Sequence, residues 1–116
     1  MPKRPAPDLL PLTPPVFHIL VALAQEERHG YGIMQEAAAQ TGGQMQMGPG
    51  TLYGCLKRML AAGLVEESGE REEPEAGERR RYYRITSLGR RAVRAEAERM
   101  AGAVSAARRV LGGGRA

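Results

Sequence analysis

The stretch GPGTLYGCLKRMLAAGLV, residues 48–65, holds the donors best suited to reading a polyanion: Thr51, Lys57 and Arg58, with no acid among them. Pro49 suits a first helical turn, where its missing N–H is not needed, and Gly63 suits the left-handed residue that ends a helix. At about 100° per residue, Leu52, Leu56, Met59 and Leu60 gather on one face, while Gly50, Gly54, Lys57, Arg58 and Ala61 point the other way. The outward face is small and basic. Such a helix can enter a DNA major groove, with Gly54 and Ala61 allowing close approach and Thr51, Lys57 and Arg58 donating hydrogen bonds. Taken alone, the same pattern also describes an ordinary amphipathic surface helix.

A second group of cations follows. Residues 66–78 carry seven acids and one Arg, and residues 79–94 carry seven Arg and no acid. Arg79, Arg80 and Arg84 can bind phosphates or a minor groove, or they can pair with Glu66 and Glu67 across a hairpin. The other reactive side chains point to little chemistry. His29 has no neighbouring base or ligand and reads as a structural turn histidine rather than a catalytic base. Cys55 projects to the edge of the buried face beside Met59, where it is either a small apolar residue or a thiol coupling oxidation to DNA release. With one Cys and two His in the chain, neither a disulfide, a metal centre nor a cofactor site is expected, and no nucleophile, base and orienting group recur together as in an enzyme.

The elements that position these groups follow from the chain order. At 116 residues a single domain is expected. Residues 1–12, rich in proline, read as a flexible arm whose Lys3 and Arg4 either touch phosphate or stay solvated. Thr13 caps a helix with Pro14 and Pro15 in its first turn and Phe17, Leu20, Val21 and Ala24 inward. After the turn His29-Gly30-Tyr31-Gly32, a second helix buries Met34, Ala37, Ala38 and Thr41, and residues 44–47 read as a short bridge strand. The basic helix is then third, as in a helix-turn-helix, and strands at 64–68 and 80–85 form a hairpin, or wing, around a charged turn. Thr86 caps a last helix, residues 87–111, before a tail at 112–116. Within it Val93, Ala97, Met100, Val104, Ala107 and Leu111 follow a heptad spacing, suited to a partner subunit or to the chain's own first helix.

The fold class expected is therefore mainly α with a small β-hairpin (α+β): a winged helix-turn-helix over residues 13–86 with a long C-terminal dimerisation helix. The net charge of +4 permits double-stranded DNA as partner. No apolar run approaches the roughly 20 residues that span a bilayer, and the start lacks the apolar core of a secretion signal, so a cytoplasmic protein with no membrane partner is expected.

Three segments resemble the PadR family of transcriptional regulators: His29-Gly30-Tyr31-Gly32-Ile33; Pro49-Gly50-Thr51-Leu52-Tyr53 with Leu56-Lys57-Arg58-Met59 and Gly63-Leu64-Val65; and Arg81-Tyr82-Tyr83-Arg84-Ile85-Thr86 with Gly89. The resemblance implies a winged helix-turn-helix, a homodimer built through the C-terminal helix, and repression relieved in some members by a small-molecule effector. The length is similar to that of the short subgroup with one C-terminal helix. Residue by residue, it places Thr51, Tyr53 and Lys57 toward the groove or its phosphates, the arginines before Tyr82 at the base of the wing, and Tyr31 near the DNA backbone. The chain lacks Trp, and with it the stacking pair that holds flat drugs in some short members. The competing function is a winged-helix protein-interaction adaptor that uses the long helix and the acidic wing without specific DNA binding.

Overall fold

The computed structural model describes residues 10–73 and 78–112. Lys3 and Arg4 of the arm, the end of the wing turn and the tail beyond residue 112 lie outside the described residues. The elements run α1 (Pro14–Gln25), β1 (Arg28–His29), α2 (Gly30–Gln40), α3 (Pro49–Ala61), β2 (Val65–Glu73), β3 (Glu78–Ile85) and α4 (Ser87–Val110).

Local signals set the helix ends. The Thr13 hydroxyl accepts the Val16 N–H at 3.4 Å, and the Thr86 hydroxyl accepts that of Gly89 at 3.0 Å. The same Thr86 hydroxyl reaches the Gly63 carbonyl at 2.6 Å, tying the exit of α3 to the start of α4. Gly63 takes φ +79°, and the Leu64 N–H closes back on the Met59 carbonyl at 2.9 Å, as expected for a glycine-ended helix. α4 crosses close over this corner: a Cβ on Gly89 would lie 2.2 Å from the Leu64 carbonyl oxygen.

The core joins Ile19, Leu20 and Leu23 of α1, Ile33 and Ala37 of α2, Leu52, Leu56 and Met59 of α3, and Val65, Tyr83 and Ile85 of the sheet. Of the residues expected inward on α1, only Leu20 is fully buried; Phe17, Val21 and Ala24 are half-buried. α1 packs against α2, α3, α4 and β3 at once, so its buried stripe is wide and centred on Ile19 and Leu23. On α2, Ile33 and Ala37 are buried while Met34 packs at the core's edge. Leu12, expected in the arm, packs partly against the same core.

The sheet corrects two expectations. Residues 44–47 form no strand: the Thr41 hydroxyl accepts the Met45 N–H at 2.8 Å and folds this segment back on the end of α2, with Met47 buried. The short third strand is β1, which pairs antiparallel with β3 (Arg28↔Tyr83, His29↔Tyr82) and gives the order β1-β3-β2. The wing strands also run further than expected. Their pairing extends from Val65↔Ile85 to Glu72↔Arg79 and beyond, with an irregularity between Glu67 and Gly69. Glutamates of β2 face arginines of β3 along this ribbon, and cross-strand attraction supports pairing where apolar alternation is missing.

α4 divides along its length. Gly89, Ala92 and Glu96 are buried, and Val93 packs against the chain's own core. Arg99 grips the buried Glu96 with Nε at 2.9 Å and Nη2 at 2.7 Å. That pair, opposed by burial and helped by the Leu12 backbone, holds the Glu96 carboxyl below the usual carboxylate range. Met100 is half-buried, whereas Ala97, Val104, Ala107 and Leu111 are exposed. The heptad seam thus lies on its own domain near Val93 and is bare beyond Met100.

Candidate nucleic-acid interface

α3 buries Leu52, Cys55, Leu56 and Met59 and turns Gly50, Thr51, Tyr53, Lys57, Arg58 and Ala61 to solvent, with Gly54 half-buried between them. A Cβ on Gly50 would meet nothing within 4 Å, and one on Gly54 only Arg58 Nη1 at 3.8 Å. Gly54, inside the helix, costs it about 1 kcal/mol relative to alanine. No neighbour among the described residues needs either gap. Arg58 leans to one flank, where its Nη2 lies 3.5 Å from Cys55 Sγ and its side chain borders a depression with Leu12, Val16 and Met59. Cys55 itself is only 3% exposed and belongs to the core, the position of a small apolar residue.

On the other flank of α3, a cleft of about 310 Å³ brings together Tyr31, Tyr53, Arg79 and Arg80 from three elements. Tyr31 and Tyr53 are 54% and 48% exposed, so two aromatic rings with hydroxyls stand at its mouth. Tyr53 can lie there only because residue 30 is glycine: a Cβ on Gly30 would sit 2.1 Å from the Tyr53 hydroxyl oxygen. The Arg80 guanidinium lies 5.8 Å from the Tyr31 ring centroid, within cation–π range. Its Nη1 is also 3.3 Å from His29 Nδ1. His29 caps α2 by accepting the Gly32 N–H at 3.1 Å, and burial, followed by the Arg80 charge, pushes its pKa below the ordinary value.

The turn role expected for His29 therefore holds, but its contact with the wing was not legible, because its partner lies 51 residues away. Arg81, which strand alternation assigns to the opposite face, also borders the cleft.

The remaining wing cations are paired. Arg84 does not join the cleft: its Nε lies 2.6 Å from Glu66 and its Nη1 3.9 Å from Glu27. Arg79 pairs with Glu70 at 3.2 Å rather than with Glu66 or Glu67. Arg81 lies 3.9 Å from Glu67 and 3.7 Å from Glu70. Arg71 bonds Glu27 and stacks 4.2 Å over the Tyr82 ring, and its hydrogen bond holds the Glu27 carboxyl below its ordinary pKa. Tyr82 in turn donates to Glu73, which raises the phenol's pKa.

Among the described residues, no helix is long and apolar enough to cross a membrane, and no three His, Cys, Asp or Glu side chains are grouped to hold a metal ion.

Comparison with known proteins agrees with this geometry. Residues 19–95 match the family described as the transcriptional regulator PadR-like family. The chain is 35% identical over 97 residues to transcriptional regulator Rv3488 of Mycobacterium tuberculosis, covering 84% of this chain and 82% of that one. It is 36% identical over 73 residues to an uncharacterized protein X of Lysinibacillus sphaericus, covering 62% of this chain and 64% of the relative. The chain spans less than two thirds of the length of that relative and of a second at 39% identity. A PadR family transcription regulator from Clostridium difficile R20291 superposes with a TM-score of 0.68 over 85% of this chain and 99% of its own, at 24% identity, a likeness of fold. With a winged helix-turn-helix in place and a family match across most of it, this chain belongs to the PadR-like family of transcriptional regulators.

Proposed function

We propose that the protein is a homodimeric repressor that binds double-stranded DNA sequence-specifically in the cytoplasm, with α3 in the major groove. The observation that carries this reading is the bare face of α3: Gly50 and Gly54 leave gaps that no described residue closes, next to Thr51 and Lys57. A base edge or sugar-phosphate strand can approach such a surface closely. Tyr31, Tyr53, Arg79 and Arg80 converge beside it and suit contacts to the flanking backbone. Arg58, on the opposite flank, suits the other strand's phosphates.

Dimerisation through the far half of α4 rests on its exposed apolar residues, since Val104, Val110 and Leu111 are 47%, 82% and 81% exposed. Val93 is taken up by the chain's own core, so Met100 would anchor the near end of that contact, and Ala97, Ala107 and Leu111 would extend it. Two copies of α3 about 34 Å apart would read a near-palindromic operator. A groove of about 510 Å³ bordered by Leu12, Phe17, Glu96 and Met100 lies between α1 and α4, where a small-molecule effector could act on dimer geometry.

Fluorescence anisotropy with a duplex spanning the promoter of the protein's own gene tests the reading. Tight binding to it, weaker binding to random duplex and a steep fall with salt are expected. Equal affinity for both duplexes would overturn sequence specificity, and a monomer in sedimentation at micromolar concentration would overturn the dimer.

A further inference from the structure

His29 stands at a junction that its sequence position does not reveal. It is the second residue of β1, opposite Tyr82 on β3, and also the N-cap of α2. Two donors converge on one atom of its ring: the Gly32 N–H at 3.1 Å and Arg80 Nη1 at 3.3 Å both point to Nδ1. Neither the amide nor the guanidinium can accept a hydrogen bond, so Nδ1 must present its lone pair and the ring proton must reside on Nε2. The ring is held in this orientation edge-on to Tyr82, with centroids 5.3 Å apart and planes at 85°.

We propose that His29 is the positioning residue of the interface, its Nδ1 lone pair holding the first turn of α2 and the wing's Arg80 at one spacing so that Tyr31 and Arg80 meet the DNA backbone together. This rests on the DNA-binding reading above. The link is chemical rather than steric, and only the neutral ring makes it. An imidazolium carries a proton on Nδ1, so it can neither cap Gly32 nor accept from Arg80. It would also add a charge beside Arg80 and the positive end of α2.

The groups facing the ring oppose protonation on balance. Arg80 from β3 repels a second cation, Tyr82 covers one edge, and Tyr31 and Tyr53 border the same cleft as uncharged phenols. Arg79 and Arg81 line the same cleft but are paired with Glu70 and Glu67, and Glu73 of β2, which accepts from the Tyr82 hydroxyl, pulls the other way without outweighing burial and Arg80. Because the folded-state pKa lies below the unfolded one, the cap's contribution is fully present above about pH 6.5 and is lost as pH falls through the lower folded value.

The test compares wild type, His29→Asn and His29→Ala by anisotropy with the own-promoter duplex from about pH 8 to about pH 4.5, well below the ordinary imidazole range, at constant ionic strength. Asn supplies a side-chain oxygen that caps the helix without titrating. Wild type should bind about fivefold to tenfold more weakly at the acid end, the scale of a lost cap. His29→Asn should match wild type at the alkaline end and lose the pH step, and His29→Ala should bind weakly throughout. Three results would overturn the proposal: a pH step unchanged in His29→Asn, wild-type affinity in His29→Ala, or affinity that rises in acid, which would mean direct phosphate contact by the imidazolium.

The ring nitrogen shifts of His29 in the free protein provide a readout independent of DNA and of the alanine variant's folding. A proton on Nε2 is expected, and one on Nδ1 would refute the geometry. If wild type fails to distinguish promoter from random duplex at about pH 8, the DNA-binding reading falls, and the ring measurement still decides the link between His29 and Arg80.

Discussion

The outward face of α3 and the wing are both basic in sequence, yet they treat their charges in opposite ways. On α3 no acid lies anywhere in the helix, and Lys57 is exposed with no carboxylate partner among the described residues. On the wing, Arg79, Arg81 and Arg84 each face a glutamate within 4 Å, across the ribbon or on β1's side of it. A phosphate approaching Lys57 displaces only water and counterions. One approaching Arg84 must compete with Glu66 and Glu27. Counting basic residues would rank the wing above α3; the pairing reverses that order and makes α3 the surface on which binding should depend most.

The strongest way to break this comparison is to fill the gap on α3. Gly54→Glu should lower affinity for the own-promoter duplex more than 100-fold, roughly the loss of two or more good contacts, by placing bulk and negative charge where a backbone must approach. Thermal melting should be unchanged or slightly raised, because the new Cβ meets only Arg58 Nη1 at 3.8 Å and a helical glycine is removed. Retained binding would show that α3 is not the reading surface. Lys57→Ala comes next, at about tenfold. A uniform loss on promoter and random duplex, with a salt slope smaller by about 1, marks a phosphate contact; a loss confined to the promoter marks a base contact.

How far the sequence disclosed this arrangement follows from the range of the interactions involved. Thr13 before two prolines, Pro49 and Gly63 around the basic helix, and Thr86 before α4 are signals read within a few residues, and all four ends lie where those residues place them. The face of α3 was legible for the same reason, since one helical period separates Gly50, Gly54, Lys57 and Ala61 by rotation alone. β1 was not legible. Two residues carry no periodicity, and Arg28–His29 becomes a strand only because β3, more than 50 residues later, offers its open edge. The wing's length was hidden because Glu66 to Glu73 has almost no apolar alternation, and its pairing rests on charges supplied by the other strand. The Arg80 contact to His29 belongs to the same class: each residue is ordinary until the fold brings them together.

Removing a wing glutamate should sharpen the contrast by making the wing behave more like α3. Glu70 holds Arg79 at 3.2 Å and lies 3.7 Å from Arg81, and both arginines border the cleft. Glu70→Gln should therefore raise affinity for random duplex about threefold and steepen its salt dependence, as Arg79 becomes available to phosphate and Arg81 is left with Glu67 alone. Promoter affinity should rise less, so specificity narrows. In this view the acidic strand suppresses binding to the wrong DNA by occupying the arginines with carboxylates. Unchanged affinity for random duplex would mean that the wing stays clear of DNA altogether.

The smallest effect should come from Arg84, whose sequence neighbours made it a candidate phosphate ligand. It lies against Glu66 at 2.6 Å with half its side chain exposed, away from the cleft formed by Tyr31, Tyr53 and Arg80. An exposed pair of this kind is worth about 0–1 kcal/mol after solvent screening. Arg84→Ala should thus change DNA affinity less than about twofold and lower stability by no more than that amount. A loss as large as that of Lys57→Ala would show that DNA outcompetes the glutamates, and that pairing in the free protein does not rank the two surfaces. A double-mutant cycle of Arg84→Ala with Glu66→Gln separates the cases. If the arginine acts only within the hairpin, the coupling appears in thermal melts and vanishes from the binding measurement; if it reaches phosphate, a coupling appears in the binding measurement as well.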